Sequence, residues 1–87
     1  MKITVYGSNI CPKTLYTLNV LWGKGYEPNF INVTGSIGLL KEYMVMRDTD
    51  PNYADIRAKS MLGFAYIVLE DGTRTHDLDK VLAILEK

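Results

Sequence analysis

The chain is expected to fold as an α/β domain with a four-stranded mixed sheet flanked by helices, in the order β-α-β-α-β-β-α. Three observations predict it. Short β-rich apolar runs near residues 2–6, 29–33 and 64–70 alternate with stretches whose apolar residues recur every three or four positions. Proline stands just inside two of those helical stretches, at Pro12 and Pro51, where its missing N–H would have no intrahelical partner anyway. The pair Asp71-Gly72 then turns the last apolar run back on itself.

Ile3, Val5 and Tyr6 make a first strand apolar enough for a central place in a sheet covered on both faces. Gly7-Ser8-Asn9 is a turn, and Pro12 opens a helix that Gly23 and Gly25 stop. Leu15, Leu18, Leu21 and Trp22 are expected to pack this helix on the sheet. Glu27-Pro28 leads into a second strand, Asn29 to Val33. A strand-helix-strand crossover is almost always right-handed, so these two strands should run parallel with the first helix across one face. Thr34-Gly35-Ser36 turns the chain, and Ser36 caps a helix from Ile37 to about Arg47, lined by Leu39, Leu40, Tyr43, Met44 and Met46. Asp50 caps a further helical stretch from Pro51 to about Lys59, and Asp48, Asp50 and Asp55 read as a solvated face. Phe64 to Glu70 is a third strand, followed by the hairpin and a short antiparallel edge strand, Thr73 to Thr75. Asp77 caps the last helix, Leu78 to Glu86, with Leu78, Val81, Leu82 and Leu85 inward.

Composition narrows the classes of function. A chain of 87 residues is one domain, 1–87, near the lower size limit for a core that needs no disulfide or metal. Ten basic and ten acidic residues balance without a basic block, so the footprint of a nucleic-acid binder is missing. One histidine and one cysteine are too few soft ligands for an intramolecular zinc site. The sequence carries no leader pattern and no apolar run of spanning length, which leads to the expectation of a cytoplasmic protein that does not enter a membrane.

Chemistry concentrates at Cys11. It follows the Gly7-Ser8-Asn9 turn and precedes Pro12, so it falls at the N-cap of the first helix. Free N–H groups and the positive end of the helix dipole favour a thiolate there, and the Lys13 charge acts in the same direction. A free cysteine often serves as a small buried apolar filler. Such a filler belongs inside an element, whereas this cysteine stands at a strand-to-helix junction, which in α/β sheets faces the ligand crevice.

This element order, with a nucleophilic cysteine at the first helix start, resembles the thioredoxin fold in its glutaredoxin form. The likeness runs from Val5-Tyr6-Gly7-Ser8 through Cys11-Pro12 to the hairpin Ile67-Val68-Leu69-Glu70-Asp71-Gly72. The stretch Leu40 to Asp48, a Leu-Lys-Glu-aromatic run ending in Arg-Asp, is similar to small bacterial glutaredoxin-related proteins. The resemblance implies thiol–disulfide exchange with glutathione as co-substrate and no metal. It implies glutathione or glutathionylated proteins as partners, and a monomer. Where the family has Cys-Pro-x-Cys, this chain has Cys11-Pro12-Lys13-Thr14, so the second thiol is replaced and a one-thiol route remains. Cys11, Lys13 and Thr14 are the expected catalytic residues, with the Thr14 hydroxyl one turn on from the thiolate as a possible donor. Pro12, Phe64, Ala65, His76 and Asp77 are the expected substrate-binding residues.

Two more departures accompany the first. Ala65 stands where the family has a cis proline, and a cis bond before a non-proline residue costs ~3 kcal/mol, so the Phe64–Ala65 peptide is expected to be trans unless the fold over-determines it. Phe64 matches the residue whose backbone pairs with the glutathione cysteine, a contact that a trans bond would spoil. At the last helix the Gly-Gly turn is absent, and Asp77 is either the acid that holds the γ-glutamyl end or simply the N-cap. His76 is expected at the surface, within reach as a weak proton donor, and Ser8 replaces the basic residue that meets the glutathione carboxylate. The rival from another class is a non-enzymatic binding or regulatory module of the same fold. An iron–sulfur carrier fits less well, because such proteins carry Cys-Gly-Phe-Ser, and an arsenate-reductase-like enzyme least, because its downstream basic residues are missing.

Overall fold

A computed structural model describes residues 2–59 and 62–86. The elements follow in the order β1 (Ile3–Gly7), α1 (Pro12–Gly23), β2 (Asn29–Asn32), α2 (Ile37–Thr49), a 3-10 turn (Pro51–Tyr53), α3 (Ala54–Ala58), β3 (Tyr66–Leu69), β4 (Arg74–Thr75) and α4 (Leu78–Leu85). The sheet has four strands in the order β2-β1-β3-β4. β1 runs parallel to β2, with Val5 beside Phe30, and antiparallel to β3, with Val5 beside Ile67. β4 pairs antiparallel with β3 through Ile67 and Thr75. Among the described residues no helix is long and apolar enough to cross a membrane.

Strand alternation sorts the core into two clusters, one on each face of the sheet. Ile3, Val5, Ile67 and Leu69 turn to the face covered by α1 and α4, where they meet Leu18, Leu21 and Val81. Tyr66, Tyr6 and Val68 turn to the other face and meet Val33, Tyr43 and Tyr53. The first cluster is aliphatic. The second is aromatic: Tyr53 meets Tyr66 edge-on at 4.7 Å between centroids and Tyr43 edge-on at 5.9 Å, a geometry that adds to burial by pairing ring edges with ring faces.

Three expectations about packing are corrected. Trp22 and Leu15 are 53% and 43% exposed, because α1 buries the stripe Thr14, Thr17, Leu18 and Leu21, and both residues fall one helical position beside it. Asp50 is not part of a solvated face: its carboxylate accepts a 2.6 Å hydrogen bond from the Tyr66 hydroxyl and lies 3.5 Å from Arg74 Nε. It also caps the 3-10 turn, accepting from Asn52 N–H at 2.9 Å. The hairpin turn is centred on Glu70-Asp71, since Gly72 N–H donates to Leu69 O at 3.1 Å and Gly72 follows at φ +97°. That is the three-residue loop, in which the left-handed residue comes after the turn and glycine supplies it at no steric cost.

The tyrosine cluster also fixes the loop before β3. Tyr43 Oη donates, shared, to Leu62 O at 2.9 Å and Gly63 O at 3.0 Å, and accepts from Tyr53 Oη at 2.9 Å. Burial pushes the Tyr43 hydroxyl up to about 12, so it stays a protonated donor at neutral pH. Gly63 sits at φ +81° with Tyr53 so close that a Cβ would meet the ring at 2.7 Å. Tyr43→Phe leaves the Tyr53 hydroxyl and two carbonyls short of a partner, and stability is expected to fall by about 1 to 3 kcal/mol. The midpoint of chemical denaturation measures it, and an unchanged midpoint would remove the hydroxyl from this role.

Candidate functional site

α1 begins where β1 ends at the middle of the sheet, and its seating is unusually close. Gly7 carries no side chain because one would collide with Thr14, which is fully buried. Thr14 Oγ1 accepts from Ser8 N–H at 3.2 Å, tying the first turn of the helix to the end of the strand. Cys11 is the N-cap, in extended conformation, with Pro12 as the first helical residue. Its N–H donates to Ser8 O at 3.1 Å and its carbonyl accepts from Leu15 N–H at 3.1 Å, while its side chain makes no cap hydrogen bond. The sulfur is half-exposed at the helix start.

Burial opposes ionisation of the Cys11 thiol. It is outweighed by the Thr14 N–H and hydroxyl, the Lys13 N–H and the Lys13 charge, so the thiol lies below its ordinary value. This is the microenvironment that raises the thiolate fraction of a cysteine.

Two hollows flank the helix start. The larger, about 450 Å³, is lined by Ser8, Ile10, Cys11, Lys13, Thr34 and the stretch from Leu62 to Phe64. The smaller, about 250 Å³, lies between α1 and the start of α4 and is lined by Lys13, Thr17, Ala65, His76 and Asp77 among others. Lys13 borders both. Of the residues expected from the sequence, Cys11, Lys13 and Phe64 line the larger hollow, and Lys13, Ala65, His76 and Asp77 the smaller. Pro12 is exposed at the helix start and Thr14 lies behind the cysteine. Among the described residues no three histidine, cysteine, aspartate or glutamate side chains gather closely enough to hold a metal ion.

The Phe64–Ala65 peptide is cis, against the expectation of trans. That expectation used only the local preference of a non-proline bond. The loop is held from outside by the Tyr43 hydroxyl on Leu62 O and Gly63 O and by burial of Ala65 in the aliphatic core.

His76 is also corrected. It is not a surface residue: its ring lies edge-on to Tyr53 at 4.4 Å and tilted over Tyr66 at 4.6 Å, with Nε2 buried and without a hydrogen-bond partner. Burial lowers its basicity, Asp50 opposes that, and the Lys13 charge adds to the lowering. The ring is neutral at pH 7, which speaks against a role as proton donor. Asp77 caps α4, its Oδ1 accepting from Asp79 N–H at 3.0 Å and Lys80 N–H at 3.4 Å. One carboxylate oxygen is thus engaged as a cap, while the side chain still borders the smaller hollow.

Sequence reasoning missed the polar brace beneath the larger hollow. Ser8 Oγ and Thr34 Oγ1 are 2.7 Å apart, Thr34 Oγ1 donates toward Asn32 Oδ1 at 3.1 Å, and Asn9 N–H donates to Asn32 Oδ1 at 3.2 Å. Asn9 and Thr34 stood in stretches read only as turns, and Ser8 was read as a turn residue and as the replacement of a basic one. Nothing in their local pattern says that the two turns meet, because parallel pairing of β1 with β2 brings them to the same edge. No protein-family model, curated protein or solved structure matches this chain.

Two outcomes are expected. Thr14→Val removes a hydrogen bond to the thiolate and leaves Ser8 N–H buried without an acceptor. The Cys11 titration, followed by thiolate absorbance, should move upward, and stability should fall by about 1 to 3 kcal/mol; an unmoved titration would exclude the threonine from tuning the thiol. His76 has its folded pKa lowered from 6.5, so its contribution to stability is present above pH 6.5 and is lost as the pH falls through the folded value. His76→Phe keeps the stacked ring and abolishes this loss. Denaturation midpoints that decline equally in both proteins below pH 6.5 would assign the acid sensitivity elsewhere.

Proposed function

We propose that the chain is a thioredoxin-fold protein of the glutaredoxin type that carries out one-thiol disulfide exchange with glutathione at Cys11. The observation that carries this reading is the placement of the Cys11 sulfur. It is half-exposed at a helix start, its thiolate form is favoured, and it borders a hollow on the side of Phe64 while Lys13 borders hollows on both sides. The element order and the strand order β2-β1-β3-β4 agree with the fold that the resemblance implies.

The reaction balances with one protein thiol. The Cys11 thiolate attacks the glutathione sulfur of a mixed disulfide; a sulfur–sulfur bond forms to Cys11, and the original bond breaks as the other thiol leaves with the electron pair. A second glutathione thiolate then attacks the glutathione sulfur on Cys11, giving oxidised glutathione and free Cys11. With Thr14 in place of a second cysteine, no internal disulfide competes with that release. Glutathione binds with its γ-glutamyl end at the start of α4, where the Asp77 carboxylate meets its ammonium group, and with a carboxylate toward Lys13. Phe64 lines the same hollow as Cys11, and its backbone is the one that the resemblance pairs with the glutathione cysteine.

The rival reading is a binding module that has lost catalysis. It is favoured by Ser8, whose buried, paired hydroxyl stands where a cation would meet a glutathione carboxylate. One variant separates the two. Cys11→Ser keeps a good N-cap and should leave the circular dichroism spectrum unchanged while lowering glutathione-dependent reduction of a small mixed disulfide by at least about a hundredfold. A wild-type protein without measurable turnover would sink the enzymatic reading and favour the module, and turnover surviving in the variant would sink the role of Cys11.

A further inference from the structure

On one side the sheet ends at β2, and the backbone of that edge faces outward in a fixed pattern. Gly7 lies beside Asn32 in the parallel register, and Val33 N–H donates to Gly7 O at 2.9 Å, so the backbone groups of Asn29, Ile31 and Val33 face β1. Those of Pro28, Phe30 and Asn32 face away from the sheet, because hydrogen-bonding direction alternates along a strand. Among the described residues one of these outward groups is engaged: the Asn32 carbonyl accepts from Gly35 N–H at 3.1 Å. Pro28 has no N–H to offer.

This pattern is complementary to itself. Two copies of β2 set antiparallel about a two-fold axis at Phe30 exchange both hydrogen bonds between Phe30 and its own copy. The next bonded pair sets Pro28 against Asn32 of the second copy, where the Asn32 N–H meets the Pro28 carbonyl. The carbonyl already engaged by Gly35 then stands opposite the residue that lacks an N–H, so each outward group of the edge has a partner. Proline and charge are the usual guards of an edge strand. Here the proline falls where this pairing needs no donor, and Asn29-Phe30-Ile31-Asn32 carries no charge.

The helix beside the edge has a matching flank. Thr17 and Tyr16 of α1 border the hollow shared with α4, so Leu15, Asn19 and Trp22 lie on the opposite flank, toward β2. Leu15 is 43% and Trp22 53% exposed, and Phe30 is half-buried on the same face of the sheet. The two-fold axis of an antiparallel pair stands perpendicular to the sheet, so both α1 helices lie on one face and these flanks turn toward each other across the seam. A flank without charge meets no like charge in its own copy.

We infer that the β2 edge and the Leu15–Trp22 flank of α1 form a docking surface for a second copy of this chain, joining two four-stranded sheets into one. The inference departs from the monomer that the resemblance implies, and it rests on neither reading of Cys11. Antiparallel pairing of the two β2 strands puts the two cysteines at opposite ends of the seam. A strand edge with two large side chains per copy is less than the ~800 Å² per partner of a standard interface, so the dissociation constant should be on the order of 100 µM.

Sedimentation velocity with a thiol reductant present, which excludes a disulfide between two Cys11 side chains, reads the oligomeric state from about 10 µM to about 1 mM. The wild-type protein should pass from monomer to dimer over that range. Amide hydrogen exchange of Phe30 and Asn32 should slow about threefold or more at the high concentration, while the amides of β4, the other edge of the sheet, keep their rates. Trp22→Lys, a change at an exposed position, should keep the circular dichroism spectrum and remain monomeric throughout. A wild-type protein that stays monomeric at about 1 mM overturns the inference and leaves the edge to a strand of another protein. A dimer that survives Trp22→Lys, or that forms without slower exchange at Phe30 and Asn32, also overturns it, because its seam then lies elsewhere.

Discussion

The close seating of α1 on the end of β1 governs the rest of the molecule. Gly7 lets the helix approach until Thr14 lies against the strand, and the Thr14 hydroxyl takes up the N–H of Ser8 that the approach would otherwise bury unpaired. With that contact in place, Pro12 can begin the helix at once and Cys11 is left as N-cap, its sulfur beside the first N–H groups of the helix. The same threonine that holds the helix down also faces the thiol, so anchoring and tuning share one side chain.

The two faces of the sheet then do different work. The aliphatic face under α1 and α4 is held by area removed from water, which fixes layers but no particular hydrogen bond. The aromatic face is held by rings whose hydroxyls must be satisfied, by loop backbone for Tyr43 and by side chains for Tyr53 and Tyr66. Tyr43 pins the loop that presents Phe64 and Ala65, and Tyr66 connects Asp50, Asn52 and Arg74 on the side of β4 that leads to His76. A polar network in a core is stable only when each member is paired. Among the described residues His76 Nε2 is buried without a hydrogen-bond partner, which ties its neutral state to folding.

Around the cysteine, the chemistry differs from one side to the other. Toward α4 the walls carry Lys13, His76 and Asp77 and suit a charged ligand. Toward the Ser8–Thr34 brace Ser8 and Thr34 pair with each other, and the walls include Ile10, Leu62 and Phe64 beside Lys13. Cys11 borders the larger hollow, and Lys13, two positions on, borders both.

Much of this was determined by the sequence alone, because it depends on neighbours along the chain. The α/β class, the element order, Cys11 at a helix N-cap, and the capping roles of Ser36, Asp50 and Asp77 follow from periodicity, proline placement and short polar side chains reaching their own backbone. The tertiary structure alone decided whatever depends on which distant segments meet. Periodicity marked Trp22 and Leu15 as core because they are large and apolar, but close contact with Gly7 turned Thr14 inward, and Thr17 is buried on the same stripe. Local composition made Asp50 and His76 surface residues, yet β3 and β4 bring Tyr66 and Arg74 to the first, and Tyr53 and Tyr66 enclose the second. The peptide before Ala65 was assigned from its own residue type, whereas its setting is fixed by Tyr43, some twenty positions away, because a hydroxyl buried by tertiary packing must find acceptors wherever the fold supplies them.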